Sequence, residues 1–521
     1  QISPNAVKRF CLPADHFHNV VEMHRQVVYP DDLDLLLVEL ELLSTGRKVF
    51  HNLHYRWMGK NHETIWINCR GRVLSDPEDG SPRYLVGCIN EIGAKQKADN
   101  VSGLLGEYSL KIFYESRSPK LPQGFLLRIG IDDFKNINES HGNEYGDYIL
   151  RRTAQCIEEN IGPEQSLFHI VADEFAVVDF SGGSVETAEK LFHEIKKSIY
   201  AFIEQNQYKA VYTVSGGIVE NGDVDNSFEN AMKLSEFALS QAKERGKNSC
   251  YVFEQKEYED YLKSRTLLRQ LHHAVNNGFE GFEAYFQPLV NAANGELTGA
   301  ETLLRFHSPE GGMVSPGEFI PILEESGLII PVGRWVLRQA LDACREWQKI
   351  LPEFKVNVNL SYVQVLKSRV LTDVRRIVDE FGVKPSSVCI ELTESGYLEE
   401  NERFDKVWNG LKEYGVLLAL DDFGTGYSNL RCLSDLKPAY IKIDRSFTLK
   451  ALNREYEYRL LNHIVEMSHS LGLHVCVEGI ETEGELTKAK QTEPDYIQGF
   501  LFGKPCSRAE FTQKFFTKQA G

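Results

Sequence analysis

The chain is poor in the features that mark a secreted, fibrous or membrane-spanning protein. Its ten cysteines are scattered through 521 residues with no CxxC pair, which fits buried or free thiols in a reducing compartment better than a disulfide framework. No run of about 18 apolar residues occurs, which excludes a spanning helix in this segment. No signal peptide opens the chain and no short-period repeat runs through it, so it reads as successive globular units rather than a solenoid. Positive charge is scarce: 58 Lys and Arg face 75 Asp and Glu, a net charge of −17. That balance argues against a nucleic-acid-binding surface. What is present is 42% hydrophobic residues, enough for several packed cores, and a length that suggests two to four domains. The expected setting is cytoplasmic, with any membrane anchor lying upstream in a longer parent.

The second half repeatedly places an acid, amide or lysine at the end of a strand-like run. AETLLRF gives Glu301, KVNVNLS gives Asn359, VCIELTES gives Glu391, and LLALDDFGTGYS gives Asp421 and Asp422. YIKID gives Lys442, HVCVEGIET gives Glu478 and YIQGF gives Gln498. A helix-like stretch follows each, the order by which a (β/α)8 barrel gathers functional groups around one mouth. Five carboxylates converging on one cavity repel one another unless cations neutralise them, and oxygen donors favour a hard divalent ion such as Mg or Mn. The residues alone therefore point to a two-metal hydrolase of a phosphoester.

With these residues in place, the stretch from about Asn277 to the C-terminus resembles the EAL domain, a cyclic-di-GMP phosphodiesterase that yields linear pGpG. The name motif is altered to Glu301-Thr302-Leu303. This matters little if the glutamate is the ligand, because the next strand residue points to the other side. The resemblance implies Glu301, Asn359, Glu391 and Asp421 as ligands of one metal. It implies Asp421 as a bridge to a second ion held by Asp422, with Glu478 close by as a ligand or proton carrier. Lys442 is implied beside the attacking water, Gln498 as an orienting group, and Gln287 of YFQPLV and Arg305 as dinucleotide contacts. Glu394 matches an anchor for the loop Phe423-Gly424-Thr425-Gly426-Tyr427-Ser428, through which contacts in a homodimer would reach the metals.

The middle of the chain carries GFLLRIGIDDFKNINESHGNEYGDYIL, SLFHIVADEFAVVDF, YTVSGGIVE and AKERGKNS, and there it resembles the GGDEF diguanylate cyclase domain. The signature turn reads Val171-Ala172-Asp173-Glu174-Phe175, without the two glycines that let backbone approach a triphosphate. β-branched Val171 reads as the more damaging change. Gly130 stands where the resemblance expects a metal-binding aspartate, and the Arg-x-x-Asp inhibition motif is absent. Asn138, Asp147, Lys135, Lys243, Lys247 and Glu174 remain as nucleotide-binding positions, so the domain is expected to be degenerate, with GTP binding but no turnover left open.

The first hundred residues, with Tyr29-Pro30-Asp31-Asp32 and the runs HNLHYRWMGK, ETIWINCRGRVLSD and PRYLVGCINEI, resemble part of a PAS sensor whose first strand lies ahead of Gln1. His16, His18, His24, His51, His54 and His62 read as surface or core residues, and no ligand is assigned to the sensor.

The expected architecture is a multi-domain α/β and α+β chain. It comprises a partial PAS sensor at 1–98 that includes the start of a linker helix, a cyclase-palm-like GGDEF domain at 99–254, a linker helix at 255–276 and an EAL TIM-type barrel at 277–521. Helices are expected over Ile92–Leu110 and Phe253–Val275. Expected cofactors are two Mg or Mn ions, with GTP as a candidate ligand of the middle domain. The expected activity is regulated cyclic-di-GMP hydrolysis. The alternatives are a non-enzymatic cyclic-di-GMP receptor and, against Gly130, Val171 and Ala172, a bifunctional enzyme.

Overall fold

The computed structural model describes residues 2–517 except 4–6, 9–11, 13, 17–19, 59–63, 77–80, 93–98, 100, 118–123, 207–210, 224–226, 394–401 and 425–429. The chain divides into two compact units, Gln1–Glu259 and Asp260–Gly521.

In the first unit, β1 (Phe50–Met58), β2 (Thr64–Ser75) and β3 (Pro82–Ile92) form an antiparallel sheet in the order β1-β2-β3. The helices Val20–Val27 and Pro30–Ser44 supply Met23, Val27 and Leu36 to a core that also holds Tyr55, Trp57, Ile65 and Ile67. Pro30 opens the second helix, where its missing N–H costs nothing. Asp32 then locks that helix to β1 by a forked pair with Arg56 at 2.6 and 2.8 Å.

A second sheet in the same unit comprises β4 (Phe125–Ile131), β5 (Gln165–His169), β6 (Glu174–Asp179), β7 (Val214–Glu220) and β8 (Cys250–Val252), in the order β5-β6-β4-β7-β8. Every residue of β4 is buried, as expected for a central strand covered on both faces. The helix expected over Ile92–Leu110 does not form as read. Residues 93–98 and 100 lie outside the described set, and Asp99 instead caps a turn by accepting from the N–H groups of Val101 and Ser102. The helix starts only at Glu107. The Asx-type turn at Asp99, followed by Gly103 at φ 73°, competes with helix here. The helix expected near Phe253–Val275 runs from Gln255 to Asn276.

The second unit is a closed barrel with small strands appended. Its strands are β9 (Phe282–Asn291), β10 (Leu297–Ser308), β11 (Gly312–Val314), β12 (Lys355–Asn359), β13 (Val388–Thr393), β14 (Leu417–Phe423), β15 (Tyr440–Ile443), β16 (His474–Val477), β17 (Tyr496–Gln498) and β18 (Cys506–Ser507). The ring β10-β12-β13-β14-β15-β16-β17-β9 closes through the β9–β10 pairing. Its strands from β10 to β17 run parallel, whereas β9 is antiparallel to both neighbours. The sequence alone suggested eight like-directed strands. The reversal follows from the short turn between Asn291 and Leu297, since only antiparallel neighbours can be joined so tightly. Asn291 Oδ1 holds that turn by accepting from Ala293 and Asn294 N–H at 3.0 and 3.2 Å. Among the described residues no helix is long and apolar enough to cross a membrane.

Candidate active site in the barrel

The barrel strands deliver Glu301 (β10), Asn359 (β12), Glu391 (β13), Asp421 and Asp422 (β14), Lys442 (β15) and Gln498 (β17), with Glu478 directly after β16. Parallel register sets Glu301 beside Asn357 and Asn359 beside Glu391, so the groups collect at one end of the ring. At β14 the pairing slips between Leu420 and Phe423, and Asp422 takes a left-handed backbone, φ 57°. This local break re-aims consecutive carboxylates that a regular strand would point to opposite sides.

Lys442 sits at the centre, 2% exposed. Its Nζ lies 3.1 Å from Glu301, 3.0 Å from Glu391, 3.4 Å from Asp421 and 2.8 Å from Glu478. Oxygens of Glu301, Glu391 and Asp421 all lie within 4.8 Å of one another. Glu301 accepts from Asn359 Nδ2 at 2.9 Å and Gln498 Nε2 at 2.7 Å, and Gln498 also donates to Gln287 Oε1 at 3.1 Å. Arg305 lies further along β10, stacked over Tyr285 with its Nη1 donating to the Leu304 carbonyl at 2.9 Å. Glu394 and Thr425 to Ser428 lie outside the described residues.

Crowding sets the protonation of the cluster. Burial pushes Glu301 up, but Lys442, Gln498 and Asn359 together hold it below the ordinary carboxylate range. Burial lifts Glu391 well above that range and raises Asp421, in both cases against the pull of Lys442. Asp422 is pushed up to about 6 by burial and by Asp421 and Asp444. Burial lifts Glu478 to about 8, with repulsion from Asp421 and Glu301 opposing Lys442. Burial alone would lower Lys442, but the surrounding carboxylates raise it well above its usual value.

One participant escaped the sequence reading. Asn357, buried on β12, donates to Glu391 Oε1 at 2.7 Å. The signal was there, because positions two apart on a strand share a face and Asn359 was already assigned inward.

The donor set fits a hard divalent cation. It is all oxygen and amide, one lysine faces four carboxylates, and Gln498 Oε1 is buried without a hydrogen-bond partner. Thr302, in the altered motif, is 2% exposed, and its hydroxyl also lacks a partner.

In the middle domain the signature turn is compensated by cations. Glu174 pairs with buried Arg128 at 2.6 Å, Asp173 lies 3.9 Å from Lys243, and Lys247 pairs with Asp133 at 2.8 Å. The Lys243 ammonium lies 2.9 Å from where a Cβ on Gly130 would stand. Asp132 is buried and accepts from Thr213, Ser215 and the Asn248 N–H at 2.6, 2.7 and 3.1 Å. Asn138 Oδ1 rests against Gly146, the neighbour of Asp147, leaving no room for a side chain there. Lys135 is exposed, 3.5 Å from Glu139. The left-handed backbone of the turn falls on Ala172, φ 52°, not on Val171, whose side chain is exposed. Lost glycine freedom therefore costs at the second position rather than the first.

A closed barrel with this lysine-centred acidic mouth belongs to the EAL class, and the EAL domain family matches residues 268–505. The diguanylate cyclase GGDEF domain matches residues 109–249 and the PAS fold matches 2–89. The chain is therefore a PAS–GGDEF–EAL composite. It is 33% identical over 410 residues to an uncharacterized protein of Sinorhizobium fredii, covering 78% of this chain and 49% of that one. The bifunctional diguanylate cyclase/cyclic di-GMP phosphodiesterase MucR of Pseudomonas aeruginosa is 29% identical over 381 residues, 73% of this chain and 55% of MucR. The cyclic di-GMP phosphodiesterase PdeR of Escherichia coli is 28% identical over 455 residues, 87% of this chain and 67% of PdeR. The chain thus spans about half the length of the first two relatives.

Proposed function

We propose that the barrel hydrolyses cyclic-di-GMP to linear pGpG with two divalent ions, and that the PAS and GGDEF domains regulate it. The carrying observation is the packing of Glu301, Glu391 and Asp421 oxygens within 4.8 Å of one another around a lysine at the mouth of a closed barrel. The names of MucR and PdeR support the same substrate. Glu301, Asn359, Glu391 and Asp421 are assigned to one Mg or Mn ion, and Asp421, Asp422 and Glu478 to the other. When bound, such ions activate a water and stabilise charge developing at phosphorus.

The chain's own groups do the rest. Arg305 has no carboxylate within ion-pair distance among the described residues and donates only to the adjacent Leu304 carbonyl, so its remaining N–H groups can take a phosphate in charge-assisted contact. Gln287 and Gln498 form one hydrogen-bonded pair that fixes Glu301 from β9 and β17. Lys442 holds the carboxylates in register while its charge faces the reacting phosphate. With the ions bound Glu478 is ionised, and it is assigned the role of taking up the proton of the attacking water. Loss of the signature glycines and of an acid at Gly130 argues against cyclase activity in the middle domain. Lys243, poised beside Gly130, favours GTP as a regulatory ligand there.

The test is incubation of the chain with cyclic-di-GMP and Mg or Mn, with products separated by chromatography, with and without GTP and EDTA, and a Glu301→Ala chain as the blank. Conversion to pGpG that needs metal and is lost by orders of magnitude in Glu301→Ala is expected. Binding without conversion in every condition overturns the hydrolase reading in favour of a receptor.

A further inference from the structure

The rim of the barrel mouth carries an aromatic side chain that the acidic cluster does not account for. Phe500 lies two residues beyond Gln498, on the turn that leaves β17, and is 43% exposed. A single apolar side chain on a surface needs no explanation, but this one stands between two cations. The Arg445 guanidinium lies over its ring at 5.8 Å from the centroid and the Lys504 ammonium at 5.3 Å. Both distances are near the limit for such pairs, and much of the ring stays open. Arg445 opens the helix that follows β15, three residues after Lys442. Its stem fills the space that a side chain on Gly479, next to Glu478, would need. Glu481 holds one branch of its fork at 2.5 Å, whereas Lys504 has no carboxylate within ion-pair distance among the described residues. The turn itself is fixed. Ile480 N–H donates to the Gln498 carbonyl at 3.3 Å and Leu501 N–H to the Ile480 carbonyl at 3.1 Å, an approach open only because Gly499 has no side chain to meet Ile480. Further along, the Gly503 carbonyl accepts from Gln287 Nε2 at 3.4 Å. Phe500 is thus presented on ordered backbone between the anchor points of Gln498 and Gln287.

We propose that Phe500, Lys504 and Arg445 form the guanine-recognition platform of the barrel, a reading that rests on cyclic-di-GMP as its substrate. One base lies on the open part of the Phe500 ring, a stacking contact that accepts any base. Lys504 and the uncommitted N–H groups of Arg445 donate to guanine O6 and N7, both acceptors. Adenine carries an amino donor in place of O6 and turns a like-signed edge to the same cations. Stacking therefore supplies affinity, and the cations supply the choice of guanine. The two charges also draw an anionic dinucleotide toward one sector of a chain whose net charge is −17.

The test uses the whole chain. Calorimetry gives Kd for cyclic-di-GMP and cyclic-di-AMP with Ca in place of Mg or Mn, and steady-state hydrolysis with Mn gives KM and kcat. Phe500→Ala is expected to raise Kd and KM for cyclic-di-GMP about tenfold with kcat changed less than about threefold, and Phe500→Trp to restore both constants. Lys504→Ala should cut the preference for cyclic-di-GMP over cyclic-di-AMP about tenfold. Unchanged cyclic-di-GMP affinity in Phe500→Ala overturns the platform and leaves the hydrolase reading standing. A fall in kcat at constant KM makes Phe500 part of the architecture and overturns the platform likewise. Equal affinity of the unaltered chain for the two dinucleotides overturns the choice of guanine. A chain that binds cyclic-di-GMP without converting it strikes the hydrolase reading alone, since the platform is read from Kd; one that binds none in any condition strikes both.

Discussion

Glu478 ties the electrostatics of the barrel to a measurable stability curve. Burial lifts its carboxyl from 4.5 to about 8, so the folded state holds this proton more tightly than the unfolded chain. The resulting stability is whole below about pH 4.5 and is lost as pH climbs toward 8, at about 1.4 kcal/mol per pH unit. From pH 5 to 8 the metal-free protein should lose about 4 kcal/mol through this one group. Glu478→Gln mimics the protonated acid and removes the term. The perturbation is therefore that variant in EDTA, and the assay is thermal unfolding at half-unit steps of pH. The Tm gap between Glu478→Gln and the parent should open by roughly 8–16 °C over that range, at about 2–4 °C per kcal/mol for a domain of this size. A divalent ion must displace the same proton, so Mn affinity of the parent should tighten by up to about tenfold per pH unit below 8, and that of the variant should rise less steeply. A Tm gap that stays constant from pH 5 to 8 refutes the reasoning.

Asn357→Ala strips Glu391 of a charge-assisted hydrogen bond of about 1.5–3 kcal/mol. It should lower kcat for cyclic-di-GMP 10- to 100-fold and weaken Mn binding while leaving KM nearly unchanged; a pure KM effect would count against a positioning role. Arg305→Ala should raise KM at least tenfold with a smaller change in kcat, and Lys should restore only part of it, because an ammonium cannot reproduce the fork; an unaltered KM in steady-state kinetics would remove Arg305 from the substrate site. Thr302→Val deletes a buried hydroxyl that has no partner, so urea unfolding should show equal or higher stability, by up to about 2 kcal/mol; a loss above 1 kcal/mol would mean the hydroxyl is satisfied in solution. Gly130→Asp should pair its new acid with Lys243 instead of creating a cation site, leaving the Mn stoichiometry measured by calorimetry unchanged; one added ion per chain would contradict this.

Much of the fold was legible because punctuation and pattern agreed. Clusters such as Lys60-Asn61-His62 and Asp76 to Pro82 separate the β-rich runs that became β1, β2 and β3. In the barrel, short aliphatic runs ended repeatedly in a polar residue, which only a parallel ring makes economical. The reversal of β9 was not visible in residue periodicity, which is the same for either strand direction; it is encoded in the length of the turn Ala292 to Glu296. Asn357 was overlooked because the reading followed strand ends, although a side chain one step deeper shares the face and supports what lies above. The helix expected across 92–110 was misjudged because polar composition was weighed and the local bonding of Asp99 was not. At the signature turn the side chain suggested strain at Val171, but the dihedral assigns it to Ala172.

The two nucleotide-related domains solve the same electrostatic problem in opposite ways. At the middle domain's turn each acid already has its own counter-charge or donors: Arg128 for Glu174, Lys243 for Asp173, Lys247 for Asp133, and two hydroxyls with a backbone N–H for Asp132. A cation entering there would have to displace side-chain cations that cost the chain no loss of translational freedom to hold. In the barrel, among the described residues, Lys442 is the one cation that answers Glu301, Glu391, Asp421 and Glu478, and the shortfall is met by protons, with Glu391 and Glu478 raised far above their ordinary range. Protons are exchangeable where arginine and lysine side chains are not. A divalent ion entering the barrel would replace these exchangeable protons with charge and return each carboxylate to the form in which it attracts metal.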